Sequence, residues 1–197
     1  MHGLMMDRPL LISDLLRFAR RNHGGVELVS AMADGSVHRT TYGEAYGRVC
    51  QLGHALRRLG VEPGDRVATL AWNDYRHFEI YFAVSGIGAV CHTLNPRLFP
   101  EQLIYIINHA ADRWLCVDPL FVPFLAKVAP RLEGVEGVIV LAGEGNLPET
   151  GGLRAVGYEE LLAGEAPELD WPAFDERTAS SLCYTSGTTG HPKGVML

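Results

Sequence analysis

The 197-residue sequence is short of several features that would assign it to a common class. Only four cysteines occur, Cys50, Cys91, Cys116 and Cys183, and no two form a C-x-x-C pair. Their wide spacing speaks against a disulfide framework and against a zinc site. Each sits in an apolar run, where a free thiol behaves as a small core hydrophobe. Reduced thiols and a cytoplasmic setting are therefore expected. No apolar window approaches the ~20 residues of a membrane-spanning helix. Met1 to Pro9 shows no basic region followed by an apolar one, so no signal peptide is expected. Positive charge is not in excess: 17 Lys and Arg stand against 23 Asp and Glu, a net charge of −6. A nucleic acid partner needs a basic footprint and is not expected. Neither G-x-G-x-x-G nor a Walker A string occurs, which removes the usual dinucleotide and P-loop sites. Internal repeats and low-complexity tracts are also missing.

What the chain does have is enough apolar material for a core, with 47% hydrophobic and 20% charged residues. Ser13 is the expected cap of a first helix carrying Leu15, Leu16, Phe18 and Ala19. A hairpin is predicted from Val26–Met32 and Val37–Tyr42, turning at Asp34-Gly35. Thr41 and Glu44 have capping-box spacing, and Ala45, Val49, Leu52, Leu56 and Leu59 then form one helix face ended by Gly60. Arg48, Arg57 and Arg58 lie off that stripe and read as a solvated basic face. Strand-like runs at Arg66–Ala71, Ala89–Thr93, Trp114–Val117 and Val135–Leu141 alternate with helical ones at His77–Gly88, Pro100–His109 and Leu120–Leu132. Pro123 is expected to break the last of these early. The alternation predicts an α/β fold, a mostly parallel sheet with helices on both faces. From Ala142 to Trp171 the chain turns Gly-, Glu- and Pro-rich, with one short helix at Tyr158–Ala163. Ala179–Thr185 returns as a strand.

That strand delivers the most informative stretch, Tyr184-Thr185-Ser186-Gly187-Thr188-Thr189-Gly190-His191-Pro192-Lys193-Gly194. Glycines let the backbone approach a ligand, free N–H groups can face a common concavity, and hydroxyls add donors. Lys193 adds a mobile positive charge. Such a loop suits a polyphosphate. In an open α/β sheet, ligands bind at the carboxyl ends of strands, where this loop is placed.

The string resembles the phosphate-binding loop of the adenylate-forming superfamily, which contains acyl-CoA synthetases, luciferases and peptide-synthetase adenylation domains. Only the family's free position, His191, is unspecified. Further segments resemble fatty acid:CoA ligases of the medium- and long-chain type: Trp72-Asn73, Arg76-His77-Phe78-Glu79, Tyr81-Phe82-Ala83-Val84, Cys91 to Leu98, Ile107 to Ala110 and Ser181 to Tyr184. The resemblance covers most of Thr40 to Leu197 and implies the N-terminal part of an acyl-CoA synthetase large domain.

It also implies the chemistry. A carboxylate attacks the α-phosphate of ATP, pyrophosphate leaves, and the thiol of coenzyme A displaces AMP. Thr185, Ser186, Gly187, Thr188, Thr189, Gly190, His191, Pro192 and Lys193 would form the ATP loop. Lys193 would be the catalytic cation on the leaving pyrophosphate, and the Thr185 hydroxyl would lie nearest Mg²⁺. By the same resemblance a Mg²⁺-holding acid, a ribose-binding aspartate, a hinge and a C-terminal lysine lie beyond Leu197. The chain is thus expected to be the N-terminal part of a longer protein and inactive alone. Residues 1–40 would be a helix and hairpin serving a homodimer contact, and residues 41–197 an incomplete subdomain of the AMP-binding domain.

His77, His92 and His109 have no mutual spacing for a metal and read as structural. Trp72 and Trp114 read as core, and Tyr75, Phe78, Tyr81 and Phe82 as a packed aromatic helix face. Arg97 could face a subunit or coenzyme A. An aryl- or amino-acid-adenylating enzyme and a non-catalytic nucleotide-binding or oligomerising homologue are the alternatives. The first would be told by its acid pocket, the second by loss of the downstream acid or lysine.

Overall fold

The capping box forms as its residues dictate. In a computed structural model that describes residues 1, 3–143, 145–185 and 192–197, the Thr41 hydroxyl accepts from the Glu44 N–H at 3.2 Å. The Glu44 carboxylate accepts from the Thr41 N–H at 3.0 Å. The helix it starts, α2 (Tyr42–Arg58), buries Ala45, Val49, Leu52 and Leu56. Gly60, at φ 84°, makes the left-handed turn that ends the segment. Thr41→Ala is expected to cost about 1 kcal/mol, with Thr41→Ser near neutral. Urea unfolding followed by circular dichroism checks this.

Before α2 come α1 (Ile12–His23) and the hairpin β1 (Glu27–Ala31) and β2 (Val37–Thr41), paired antiparallel with Ala31 opposite Val37. Ser13 does not cap α1. Leu11 holds the cap position without a side-chain bond, and Ser13 is buried inside the first turn with its hydroxyl unpaired among the described residues. After α2 the chain runs β3 (Arg66–Leu70), α3 (Tyr75–Gly86), β4 (Val90–Thr93), α4 (Pro100–Ala110) and β5 (Asp112–Val117). It continues through α5 (Val122–Val128), β6 (Gly137–Val140), β7 (Ala155–Gly157), α6 (Tyr158–Leu162), β8 (Ser181–Thr185) and β9 (Lys193–Met196). As Pro123 requires, the Leu120–Leu132 stretch is broken, with α5 flanked by 3-10 turns at Pro119–Phe121 and Ala129–Arg131.

Seven strands form one sheet in the order β7-β6-β5-β3-β4-β8-β9, all neighbours parallel except β8 and β9. Alternate residues of the central strands face opposite ways. Val67, Cys91, Cys116 and Ile139 pack on α2, α3 and α6. Ala68, Leu115, Val138 and Val140 pack on α4 and α5. Helices therefore cover both faces, as the alternation predicts. Strand β7 lies in the Gly- and Pro-rich tract where no strand was expected. It is held by its pairing with β6.

Arg48 is not on a solvated face. Its Nε donates to Glu79 at 2.7 Å, and its two other nitrogens donate to Glu159 at 2.9 Å. The Tyr158 hydroxyl donates to the second Glu79 oxygen at 2.6 Å. This network ties α2 to α3 and α6 across the part of the chain that looked like an excursion. Arg57 and Arg58 are exposed, as the sequence reading expects, and Arg58 binds Glu165 at 2.7 Å.

Candidate active site

The site is built where β8 ends and β9 begins. Because β8 runs parallel to β4, its carboxyl end shares a sheet edge with the ends of β3, β4, β5 and β6. Thr185 closes β8 and Lys193 opens β9, and the register sets them directly opposite each other. The Thr185 hydroxyl reaches the Lys193 carbonyl at 3.4 Å. Both residues are exposed, and Pro192 is buried. Ser186, Gly187, Thr188, Thr189, Gly190 and His191 lie outside the described residues. The two strands thus bring Thr185 and Lys193 together at one edge of the sheet.

Beneath it, β8 is tied down on both sides. The Tyr184 hydroxyl meets His109 Nδ1 of α4 at 2.6 Å, and its ring lies 5.2 Å from the His92 ring. Burial pushes the Tyr184 phenol up. His92 Nδ1 lies 2.9 Å from both oxygens of Asp112, and both side chains are wholly buried. Burial also raises the Asp112 carboxyl, opposed by the hydrogen bond from His92. On the other face Cys183 Sγ sits 3.6 Å from the Thr93 hydroxyl. The Ser85 hydroxyl donates to the Ser180 carbonyl at 3.0 Å.

The remaining candidates are dispersed. His77 Nε2 meets the Thr69 hydroxyl at 3.0 Å inside the core, and burial lowers its basicity. The three histidines meet separate partners, His77 with Thr69, His92 with Asp112 and His109 with Tyr184. Among the described residues no group of three or more His, Cys, Asp or Glu could hold a metal ion. Trp114 is buried as expected, but Trp72 is not core: it is 42% exposed and tilts against Phe121 at 5.4 Å between ring centres. It stands just beyond β3, and exposed Phe99 and Leu120 stand beyond β4 and β5. Arg97 is exposed on the connection between β4 and α4. Tyr75, Phe78 and Tyr81 line a cavity of about 330 Å³ between β1 and α3. Sequence reasoning missed the His92–Asp112 pair and the Arg48–Glu79–Glu159 network. In each, the partners are too far apart in the chain for any local pattern to show.

A phosphate-suited hairpin at the carboxyl edge of a parallel sheet is matched by a known family. The family model described as AMP-binding enzyme covers residues 15–197. The chain belongs to the AMP-binding enzyme family. Over 198 aligned residues this AMP-binding enzyme chain is 52% identical to a 3-methylmercaptopropionyl-CoA ligase of Ruegeria lacuscaerulensis. The match takes in 100% of the chain and 36% of that protein. It is 44% identical to a medium-chain-fatty-acid–CoA ligase of Ectopseudomonas oleovorans, with the same shares of 100% and 36%. The chain thus spans about a third of the length of these curated relatives. Among solved structures, the anthranilate CoA ligase AuaEII in complex with anthranoyl-AMP superposes with a TM-score of 0.80. The sequence identity is 25%, over 97% of this chain and 35% of that one. The fold is that of the N-terminal domain of acyl-CoA ligases. No helix among the described residues is long and apolar enough to cross a membrane.

Proposed function

We propose that the protein is an ATP-dependent fatty acid:CoA ligase, of which these 197 residues supply the phosphate-binding end. The observation that carries this reading is the placement of Thr185 opposite Lys193 at the carboxyl edge of the sheet, with the Ser/Thr/Gly string between them. A fatty carboxylate oxygen attacks the α-phosphorus of ATP, the bond to the β-phosphate oxygen breaks, and pyrophosphate leaves. The sulfur of coenzyme A, its proton given up to solvent, then attacks the acyl carbon and AMP departs. The residues from Thr185 to Lys193 bind and orient the phosphates, and the Lys193 ammonium offsets charge on the departing pyrophosphate. Mg²⁺ would neutralise phosphate charge. It would be held by phosphate oxygens, water and the acid that the resemblance implies, with the Thr185 hydroxyl as a weak further oxygen.

A cytoplasmic enzyme and a homodimer belong to the same reading. Exposed Ile12, Leu15 and Phe18 on α1 support a contact made by residues 1–40. The 197 residues alone are expected to be inactive, because the acid and lysine that the resemblance requires are not among them. A second acid class is favoured by one observation. The relative at 52% identity is named for 3-methylmercaptopropionate, a short thioether acid.

Acid-dependent ATP–pyrophosphate exchange on the whole protein tests the proposal, using acids from acetate to palmitate, 3-methylmercaptopropionate, benzoate and amino acids. Exchange confined to fatty acids is the expected result. Exchange confined to the thioether acid, to benzoate or to amino acids would move the substrate class. None with any acid, beside measurable ATP binding, would leave a nucleotide-binding homologue.

A further inference from the structure

Strand β9 pairs antiparallel with β8, and only the observed register sets Lys193 opposite Thr185. The cross-strand pair one step further in bears on that register. Tyr184 faces Gly194. A Cβ built on Gly194 would lie 3.0 Å from Tyr184 Cζ and 3.1 Å from Cε2. The ring therefore covers the glycine, and a ring over a cross-strand glycine pins register. Any slip along β9 would bring a residue with a Cβ under the ring.

The ring can do this because it is itself held. His109 of α4 takes its hydroxyl at 2.6 Å and stands edge-on at 5.9 Å. His92 of β4 backs it at 5.2 Å, and Asp112, the first residue of β5, holds His92 through both carboxylate oxygens. Arg66 of β3 fixes the same corner by donating to the Ala110 carbonyl at 2.6 Å. His92 Nε2 is buried without a hydrogen-bond partner among the described residues. A buried, incompletely satisfied polar pair is a poor source of stability, and its best-attested use is to specify one arrangement over others.

We propose that Tyr184 is a positioning residue for the phosphate loop: its ring, set between the buried His92–Asp112 pair and Gly194, fixes the β8–β9 register that places Thr185 beside Lys193. This rests on the proposed phosphate-binding role of the loop.

The test uses the whole protein with Gly194→Ala, Tyr184→Leu, the double variant and Tyr184→Phe. Two quantities are read: Kd for Mg·ATP, and backbone amide hydrogen exchange in β8 and β9, with thermal melting as a check on folding. Gly194→Ala and Tyr184→Leu are each expected to weaken Mg·ATP binding about tenfold and to speed exchange in β9. The double variant should be no worse than either single one, because both break the same contact. Tyr184→Phe, which keeps the ring, should stay within about threefold of the parent. Independent losses that multiply to about a hundredfold in the double variant would overturn the proposal. So would a Tyr184→Leu protein with parental exchange in β9. Should Tyr184→Leu fail to fold, Gly194→Ala decides: parental Kd and parental β9 exchange would overturn the proposal. A parent protein without pyrophosphate exchange for any acid would remove the proposed function, while amide exchange still reports whether Tyr184 sets the register.

Discussion

Lys193→Ala in the whole protein is expected to slow adenylate formation by about 10²–10³-fold, the usual loss when one preorganised charge-stabilising group is removed. Lys193 is one of only two lysines in the chain, the other being Lys127 in α5. It opens β9 and is exposed on the same edge as Thr185. On the proposed reading its ammonium follows a phosphate as charge moves to the leaving group. Removal of an interaction made most strongly in the transition state lowers kcat more than it raises KM. Lys193→Arg keeps the charge but changes its shape, and should recover part of the rate. Single-turnover release of pyrophosphate measures this. An unchanged rate in Lys193→Ala would mean that the exposed lysine is a surface residue and the charge is met elsewhere.

Arg48→Ala is expected to have the largest effect on stability, about 3–5 kcal/mol at neutral pH. Arg48 is the counter-charge of Glu79, whose side chain is only 1% exposed, and removing one partner leaves an uncompensated buried carboxylate. Burial is the largest influence on Glu79 and raises its carboxyl, with Arg48 and Tyr158 opposing. The sign of the pH dependence follows. A carboxyl raised in the folded state takes up a proton on folding, so its stabilising protonated form is present at low pH and is lost as pH rises through the folded value. Without Arg48 this loss deepens. The cost of Arg48→Ala should therefore be largest at neutral pH and shrink as the solution is acidified. Urea unfolding of parent and variant at several pH values reads it directly. A pH-independent cost would mean that Arg48 acts through packing alone.

How far these features were legible in the sequence depends on the distance between the partners. Thr41 and Glu44 sit three residues apart, and the capping box they predicted is present. Alternating apolar runs gave the parallel sheet, because each central strand is buried on both faces and so reads as continuous Val, Ile, Leu and Cys. The start of α3 was placed too late. Asp74 accepts from the Arg76 and His77 N–H groups and begins the helix at Tyr75. Aspartate is a preferred cap residue. Ser13 misled for the opposite reason, as a cap-type residue that falls one step inside the helix. Strand β7 and the Arg48 network were not legible. Their partners are supplied by β6 and by Glu159, 111 residues from Arg48. At the site the sequence proposed the loop and its lysine, and of that stretch Tyr184, Thr185, Pro192, Lys193 and Gly194 are described. It was silent on the surroundings of Tyr184, because His92 and Gly194 meet that ring only once the sheet has formed.

The measurement closest to the central claim is the fate of a carboxylate oxygen. The whole protein is given a fatty acid labelled with ¹⁸O in its carboxylate, together with ATP and coenzyme A, and the products are weighed by mass spectrometry. If the carboxylate attacks the α-phosphorus, one labelled oxygen leaves with AMP and none appears in pyrophosphate. Label in inorganic phosphate, or thioester formed with no label in AMP, would contradict the account.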